Sequence, residues 1–444
     1  MIRTRWLPWI DTHARSLSAS VLGLVAIAYL SFVYYFGVNV PFQDEWAVVI
    51  LYRSAVHGQL SLTQLWTQHN ENRMLFPNLL MLGLDYLSHF DTKVEMYGSV
   101  LMLIVAVALI AVVYRRTTAI SPMWFVPAGL VLFGWTQYAV ALQGFAIALY
   151  LILLCLSVAL VALAASRRRP ALFVVAIAAA TVASYSSTQG LAIWAAGLIF
   201  LLARGYPRSR CWWWLASAAC ISGIYWIGFV WSDTGGGVRW AVANPAPTLH
   251  YIYLLVGSVI PASHALGIGA SAQAAVGAVL LLLSLGTFGY WLWRRNAGEW
   301  LAVPLAMIAF GVLVDFLITI GRAHLGIQTA TSSRYTLFNL WLFAGVWLGV
   351  AALARRSQLP GTRVVMILLA CLTVGQVLGS FHSGLIEGRV TKSQREQAVA
   401  LVRNYASAPE DQVIPLVYQL YPGFKPLAGF LAHQHLSVFY RADP

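Results

Sequence analysis

The sequence predicts an all-α protein, a polytopic transmembrane helical bundle of about 11 spans. Of its 444 residues, 60% belong to the apolar set and 10% are charged, and the mean hydropathy is +0.73. A soluble protein carries roughly 25% charged residues and under half apolar residues. At about 20 apolar residues per bilayer crossing, the chain has room for about ten spans plus substantial loops. This composition excludes a disordered chain and argues against a water-soluble enzyme.

The net charge of +13 arises from 28 basic and 15 acidic residues. Arginines stand in clusters between apolar runs, as at Arg115–Arg116, Arg167–Arg169 and Arg294–Arg295. Under the positive-inside rule, such clusters at span ends lie in the cytoplasm. The charge therefore indicates membrane topology, and we expect no nucleic-acid partner. The four cysteines show no spacing typical of a zinc site or a disulfide framework.

The apolar runs, taken in order, give a path through the bilayer. The first run, about 17–38, follows three arginines and precedes no cleavage site, so we expect a retained span with its N-terminus inside. Further spans are predicted at about 94–114, 121–139, 143–165, 171–186, 189–203, 211–231, 271–293, 300–320, 336–354 and 364–381. The run at about 248–268 contains Pro261 and glycine breaks. We place it on the outer surface, because a crossing there would carry Arg294–Arg295 outside.

This path puts the C-terminus outside and divides the chain in two. Residues 1–381 form the predicted transmembrane domain, and residues 382–444 a small external segment with a helix over about 391–405. External loops are predicted at 39–93, 232–270 and 321–335. Twelve of the 15 acidic residues fall on the predicted outer side. Acidic residues do not set the orientation of a membrane protein, so their excess on one side calls for a functional explanation. We therefore expect any chemistry to take place on the outer face.

Two adjacent carboxylates follow the first span, in the sequence Pro41-Phe-Gln-Asp-Glu-Trp46. Asp44 and Glu45 would lie at the membrane surface, where low dielectric and mutual repulsion raise at least one carboxyl pKa. A raised pKa suits a general base or a metal ligand. The alternative is that both are ordinary solvated loop acids.

A second polar group follows in the same loop, in the sequence Gln68-His-Asn-Glu-Asn-Arg73. If residues 69–73 are extended, His69, Glu71 and Arg73 point to one side, because strand side chains alternate. They would then form a compact cluster of charged and hydrogen-bonding groups that binds substrate. The alternative is a polar cap before a helix that starts near Phe76.

A third group stands between the spans that end near 320 and start near 336. The candidate phosphate-binding residues are Arg322, His324, Ser333, Arg334 and Tyr335. Arginine suits a phosphate because its planar fork matches the oxygens and keeps its charge. The alternative is interfacial anchoring, since arginine and tyrosine are common at span ends. Asp315, inside the preceding span, is either a functional group or a structural ion-pair partner of Arg322.

Together these features resemble the GT-C superfamily of polytopic glycosyltransferases that use polyprenyl-phosphate sugars. The matching features are Asp44–Glu45 after the first span, surface helices at about 46–57 and 76–90, and an external Ser333-Arg334-Tyr335. The chain is most similar to bacterial members with a Phe-x-Asp-Glu-Trp loop and a following His-Asn-Glu-x-Arg stretch. It departs from the pattern in its small C-terminal segment and in lacking a second acidic motif that would complete a metal site.

The resemblance implies an inverting glycosyltransferase of the bacterial plasma membrane, with its active face on the periplasmic or extracellular side. It would move a hexosyl or pentosyl group from a polyprenyl-phosphate donor to a cell-envelope glycan or lipid acceptor, as in polysaccharide biosynthesis. Asp44 would act as the general base on the acceptor hydroxyl. Arg334 would neutralise the leaving phosphate, where developing charge makes such help effective. The residues that would assist it are Arg322, His324, Tyr335 and Arg73.

The resemblance leaves the cofactor open. Glu45 or Glu71 would orient the acceptor or bind a divalent cation such as Mg²⁺, Mn²⁺ or Ca²⁺, and Asp44 with Glu45 is the candidate cation site. A nucleotide-binding motif is not expected, because the donor is lipid-linked.

Three other classes of function remain open from the sequence. A transporter or lipid flippase would place ionisable groups near the bilayer midplane, whereas Asp315 is the one acid well inside a predicted span and Glu95 stands at the outer end of another. A non-catalytic scaffold would tolerate neutral replacement of Asp44. A transferase of another lipid-linked group would share most of the features above.

Overall fold

The computed structural model describes residues 6–230, 236–263, 268–357, 359–417 and 423–440. The first helices are α1 (Trp6–Phe36), α2 (Glu45–Val56), α3 (Leu62–Trp66), α4 (Leu75–Ser88) and α5 (Thr92–Thr118). Next come α6 (Val126–Leu132), α7 (Tyr138–Ala141), α8 (Ile147–Ala165), α9 (Leu172–Ser184), α10 (Ala192–Ala203), α11 (Arg208–Trp226), α12 (Val238–Ala243) and α13 (Pro245–Gly257). The last are α14 (Ala270–Trp293), α15 (Gly298–Arg322), α16 (Ser333–Arg356), α17 (Thr362–Arg403), α18 (Glu410–Val417) and α19 (Phe424–His433).

Strands β1 (Gln68–His69) and β2 (Asn72–Arg73) form one small antiparallel hairpin. Short 3-10 segments cover Pro122–Phe125, Trp135–Gln137, Gly144–Ala146, Thr188–Leu191, Arg295–Ala297, Ala323–Leu325, Ile327–Thr331 and Ser437–Phe439.

Within the described residues, eight helical segments are long and apolar enough to cross a bilayer. They are His13–Phe36, Thr92–Thr118, Pro122–Ala141, Gly144–Ala165, Ala270–Trp293, Arg295–Leu325, Ser333–Arg356 and Thr362–Arg403. Two shorter apolar helices, Leu172–Ser184 and Thr188–Ala203, match two more predicted spans. The predicted span at 211–231 corresponds to α11, which has 19 residues and is not among the eight. The all-α, multi-pass membrane fold is confirmed.

Three surface features can be compared with their predictions. The predicted surface helices at about 46–57 and 76–90 are confirmed as α2 and α4. In the run at about 248–268, α13 has 13 residues and is not among the eight segments that are long and apolar enough to cross a bilayer. Residues 264–267 of that run, and 232–235 of the predicted loop 232–270, lie outside the described residues.

The boundary predicted at 381/382 falls inside one continuous helix. Helix α17 has 42 residues, so the separate helix expected over about 391–405 is the C-terminal part of the last span's helix. Between Thr362 and Arg403 the sequence contains no proline, and nothing else interrupts the backbone hydrogen bonds. Because α17 continues past its apolar part, it brings polar side chains near 391–395 against the membrane domain.

The span predicted at 121–139 is broken inside the bundle, between α6 and α7. Gln137 donates from Nε2 to the carbonyl oxygens of Leu132 and Gly134, at 2.9 Å each. In a continuous helix these carbonyl oxygens would accept backbone N–H groups, and here the Gln137 side chain replaces those bonds. Irregular backbone inside a membrane requires such replacement. The break directs the chain through Tyr138 toward Gln143, next to the cavity described below.

Close packing of α13 on α14 depends on glycine, and we expect Gly277→Ala to destabilise the protein. A methyl group at Gly277 would lie 2.0 Å from the carbonyl oxygen of Tyr253, a backbone atom that cannot turn aside. Overpacking of this kind costs about 1–3 kcal/mol. Thermal unfolding in detergent measures the effect. The matched control is Gly286→Ala on the same helix, where a methyl group meets no atom within 4 Å. Equal unfolding midpoints for the two variants would contradict this packing.

Candidate active site

A cavity of about 440 Å³ lies where α15 ends and α16 begins. Its polar wall comes from six separate parts of the chain: Gln43 and Asp44; His69 to Asn72; Gln143; Ser186 to Gln189; Arg322, Ser332 and Arg334; and Thr391, Gln394 and Arg395. Its apolar wall includes Leu149, Leu317, Ile318 and Phe338. The cavity therefore presents both charged groups and a hydrocarbon surface to one ligand.

Asp44 presents its carboxylate to this cavity. It stands at the start of α2 without capping that helix, and its side chain is 31% exposed. The preceding Gln43 has a φ of +51°, a left-handed turn that ends the extended segment after the first span. His69 Nε2 lies 3.5 Å from Asp44 Oδ1, and the His69 ring packs at 5.1 Å from that of Phe145. Asp44 thus has an orienting neighbour and an accessible oxygen.

Glu45 points away from the cavity into the protein. Its side chain is buried; Oε2 accepts the Phe42 backbone N–H at 2.9 Å and Oε1 that of Phe145 at 3.0 Å. Burial raises the pKa of Glu45 from 4.5 to about 7, although Arg395 and the backbone N–H groups lower it. The prediction of a catalytic or metal-binding Glu45 does not fit this position, because both oxygens already join the Asp44 loop to the loop at 143–145.

The raised pKa of Glu45 predicts a pH-dependent stability. The folded protein holds this proton up to about pH 7, whereas the unfolded chain releases it near pH 4.5, so raising the pH between these values favours unfolding. Relative to Glu45→Gln, the wild type should lose on the order of 3 kcal/mol across that window and nothing further above it. Thermal unfolding of both proteins at a series of pH values tests this. A constant difference between the two would contradict it.

Residues 68–73 form a hairpin, so the expectation of one extended segment is wrong. Asn70 takes a φ of +50°, which asparagine tolerates in tight turns, and His69 pairs with Asn72. His69 and Glu71 line the cavity, but Arg73 does not. Arg73 is buried and donates to the carbonyl oxygens of Trp66 at 2.9 Å and Ile227 at 2.7 Å. Arg73 therefore anchors the hairpin to its neighbours instead of facing a substrate.

Arg322 reaches across to that hairpin and pairs with Glu71. Its Nη2 lies 2.8 Å from Glu71 Oε2, and both side chains remain about one-third exposed at the cavity. The alternative pairing of Arg322 with Asp315 is not found: Asp315 is buried, and its carboxylate has no hydrogen-bond partner among the described residues.

Of the other four candidate phosphate-binding residues, two line the cavity and two do not. Arg334 and Tyr335 line the cavity, with the guanidinium 4.9 Å from the centre of the tyrosine ring. Ser333 instead donates to the carbonyl oxygen of Thr136 at 2.7 Å and holds the broken span in place. His324 packs against Gly236 and does not line the cavity. The geometry therefore supports Arg334 as a ligand-binding residue and assigns Ser333 a structural contact.

Sequence reasoning missed several residues of the wall. Thr391, Gln394 and Arg395 lie at the i, i+3 and i+4 spacing that places side chains on one helix face. That spacing was present in the sequence, but a helix expected to belong to a separate external segment gave no reason to place it here. Gln143 and the stretch 186–189 stand where predicted spans end and begin, and this position alone gave no reason to place them in a site.

The described residues do not fit a divalent cation at Asp44 and Glu45. No three His, Cys, Asp or Glu side chains among them converge at a spacing suited to a metal ion. Glu45 uses both oxygens on backbone N–H groups, and Asp44 has His69 as its neighbour.

Comparison with known proteins gives one structural similarity. No protein-family model matches the chain, and no curated protein matches it. The chain aligns with the crystal structure of the Archaeoglobus fulgidus oligosaccharyltransferase tethered with an acceptor peptide, at 12% identity and a TM-score of 0.47. The alignment covers 94% of this chain and 61% of that chain, so this chain spans about three-fifths of the archaeal protein's length.

Proposed function

We propose that the protein is an inverting glycosyltransferase that moves a sugar from a polyprenyl-phosphate donor to a glycan or lipid acceptor. The observation that carries this proposal is that one cavity holds an accessible carboxylate, Asp44, and an arginine that pairs with no carboxylate among the described residues, Arg334, beside an apolar wall. Under the predicted topology, the reaction takes place on the outer face of a bacterial plasma membrane.

The donor's two chemical parts match two parts of the cavity. Leu317, Ile318 and Phe338 give an apolar surface for the first isoprene units of the lipid. Arg334 stands in the first turn of α16, where the helix dipole also favours an anion. Its fork would receive the phosphate oxygens and stabilise the negative charge that develops as the sugar departs. Arg322, already paired with Glu71, would contribute once a phosphate competes for it.

The reaction is a single displacement at the anomeric carbon. Asp44 removes the proton of the acceptor hydroxyl while the hydroxyl oxygen forms a bond to that carbon from the face opposite the phosphate. The bond between the anomeric carbon and the phosphate oxygen breaks, and its electron pair leaves with the polyprenyl phosphate. His69, 3.5 Å from Asp44, orients the carboxylate. The phosphate is a good leaving group, so no general acid is required.

A transfer assay tests the proposal directly. Purified full-length protein is incubated with a panel of radiolabelled polyprenyl-phosphate sugars and a membrane extract as acceptor. We expect transfer of label from one donor, with competition by unlabelled decaprenyl phosphate. If no labelled donor is bound or consumed, the enzyme proposal fails, and lipid translocation in vesicles becomes the assay to perform.

A further inference from the structure

The polar face of α17 forms a further charged part of the cavity wall. Thr391, Gln394 and Arg395 all reach the cavity from this one helix. Arg334 reaches it from α16. Together with Arg322 of α15, three guanidinium groups on different helices therefore line one cavity.

Arg395 is held unusually deep for a cation. It is 8% exposed, and its Nη1 atom is buried without a hydrogen-bond partner among the described residues. Its guanidinium lies 3.3 Å from the centre of the Phe42 ring, which fixes its plane. A buried, unpaired charge is costly unless a ligand completes its hydrogen bonds.

The nearest acid does not complete them. Glu45 is close enough to interact electrostatically with Arg395, but no ion pair within 4.0 Å joins them, and both Glu45 oxygens accept backbone N–H groups. Asp44 is also not paired with Arg395; its carboxylate lies 3.5 Å from His69 Nε2. Arg395 lines the cavity, and its guanidinium forms no ion pair or hydrogen bond with the described residues.

We infer that Thr391, Gln394 and Arg395 form an anion subsite for the acceptor, which carries a carboxylate or phosphate near its reacting hydroxyl. This inference rests on the proposed function. Arg395 packs on Phe42, two residues before the proposed base Asp44, so the anion it binds lies on the acceptor's side of the reaction. The hydroxyl of Thr391 and the amide of Gln394 add neutral donors for the remaining oxygens. An acidic sugar or a sugar phosphate carries such an anion near a hydroxyl, whereas a neutral glycan carries none.

Binding to the full chain in lipid nanodiscs tests the subsite without an identified acceptor. The probes are methyl glucuronide and glucose 6-phosphate, with methyl glucoside as the neutral match and decaprenyl phosphate as the probe of the donor site. We expect the wild type to bind an anionic sugar and not the glucoside, and to do so with decaprenyl phosphate saturating. Arg395→Gln should weaken anionic-sugar binding about 10- to 100-fold, with partial recovery in Arg395→Lys. Decaprenyl phosphate binding should be unchanged.

Matched variants separate the subsite from general damage. Arg389→Gln removes an exposed charge from the same helix and should have no effect. Thr391→Val keeps every charge and should weaken anionic-sugar binding several-fold, which supplies a test if Arg395→Gln does not fold.

Three results would overturn the inference. They are absence of anionic-sugar binding to the wild type, equal binding by Arg395→Gln, and displacement of the sugar by decaprenyl phosphate, which would place the anion on the donor. Failure of decaprenyl phosphate to bind would count against the proposed function separately.

Discussion

Replacing Asp44 with asparagine should lower kcat/KM for sugar transfer by about 10²- to 10⁴-fold, the usual contribution of a general base. Asparagine keeps the size and hydrogen-bonding shape of the side chain but cannot accept the hydroxyl proton. Since Asp44 makes no capping bond to α2 and is partly exposed, the thermal unfolding midpoint should be nearly unchanged. Transfer of label from the donor identified in the panel gives the measurement.

The matched control for Asp44→Asn is an acid that lies outside the cavity. Asp411→Asn removes an exposed acid in α18 that does not line the cavity, and should transfer sugar at the wild-type rate. Transfer that survives in Asp44→Asn would move the base to Glu71, the other carboxylate on the cavity wall. Glu45 would not be the replacement, because it is buried with both oxygens occupied.

The helical bundle could be predicted because each span satisfies its own backbone hydrogen bonds and its length is set by the bilayer. Both conditions depend only on local runs of apolar residues. The centre of α16 and the surface helices α2 and α4 could therefore be predicted from the sequence alone. Asp44 and Arg334 were also recognisable, because charged residues beside apolar runs are costly without a function. The structure places both on one cavity, although they stand 290 positions apart.

Side-chain direction could not be predicted, because it depends on distant partners. Arg73 turns inward to carbonyl groups of Trp66 and Ile227, and the second of these lies 154 positions away. Glu45 is buried because the Phe145 backbone, 100 positions along the chain, supplies its hydrogen bond. Arg395 was missed for a related reason: only the continuous length of α17 brings it back over the membrane domain.

Replacing Arg334 with glutamine should lower transfer by about 10²- to 10³-fold, the effect of losing one donor to developing negative charge. Among the cavity's arginines, Arg334 has neither the Glu71 partner of Arg322 nor the burial of Arg395, so it is the one free to meet the leaving phosphate. The loss should fall mainly on kcat if the contact strengthens in the transition state, and mainly on donor KM if it serves binding alone. Steady-state transfer at varied donor concentration distinguishes the two.

The matched control is Arg355→Gln, which removes the same charge from the opposite end of α16. Arg355 stacks over Trp124 and is exposed far from the cavity, so its loss should leave both parameters unchanged. The rate of sugar transfer by Arg334→Lys should lie between those of the wild type and Arg334→Gln. Lysine keeps the positive charge but cannot bind two phosphate oxygens at once, as arginine does. If Arg334→Gln transfers sugar as well as Arg355→Gln does, Arg334 is an interfacial anchor and the leaving phosphate must be stabilised by Arg322. A Glu71→Gln variant would then accelerate transfer, since Arg322 would no longer have to exchange one carboxylate for the phosphate.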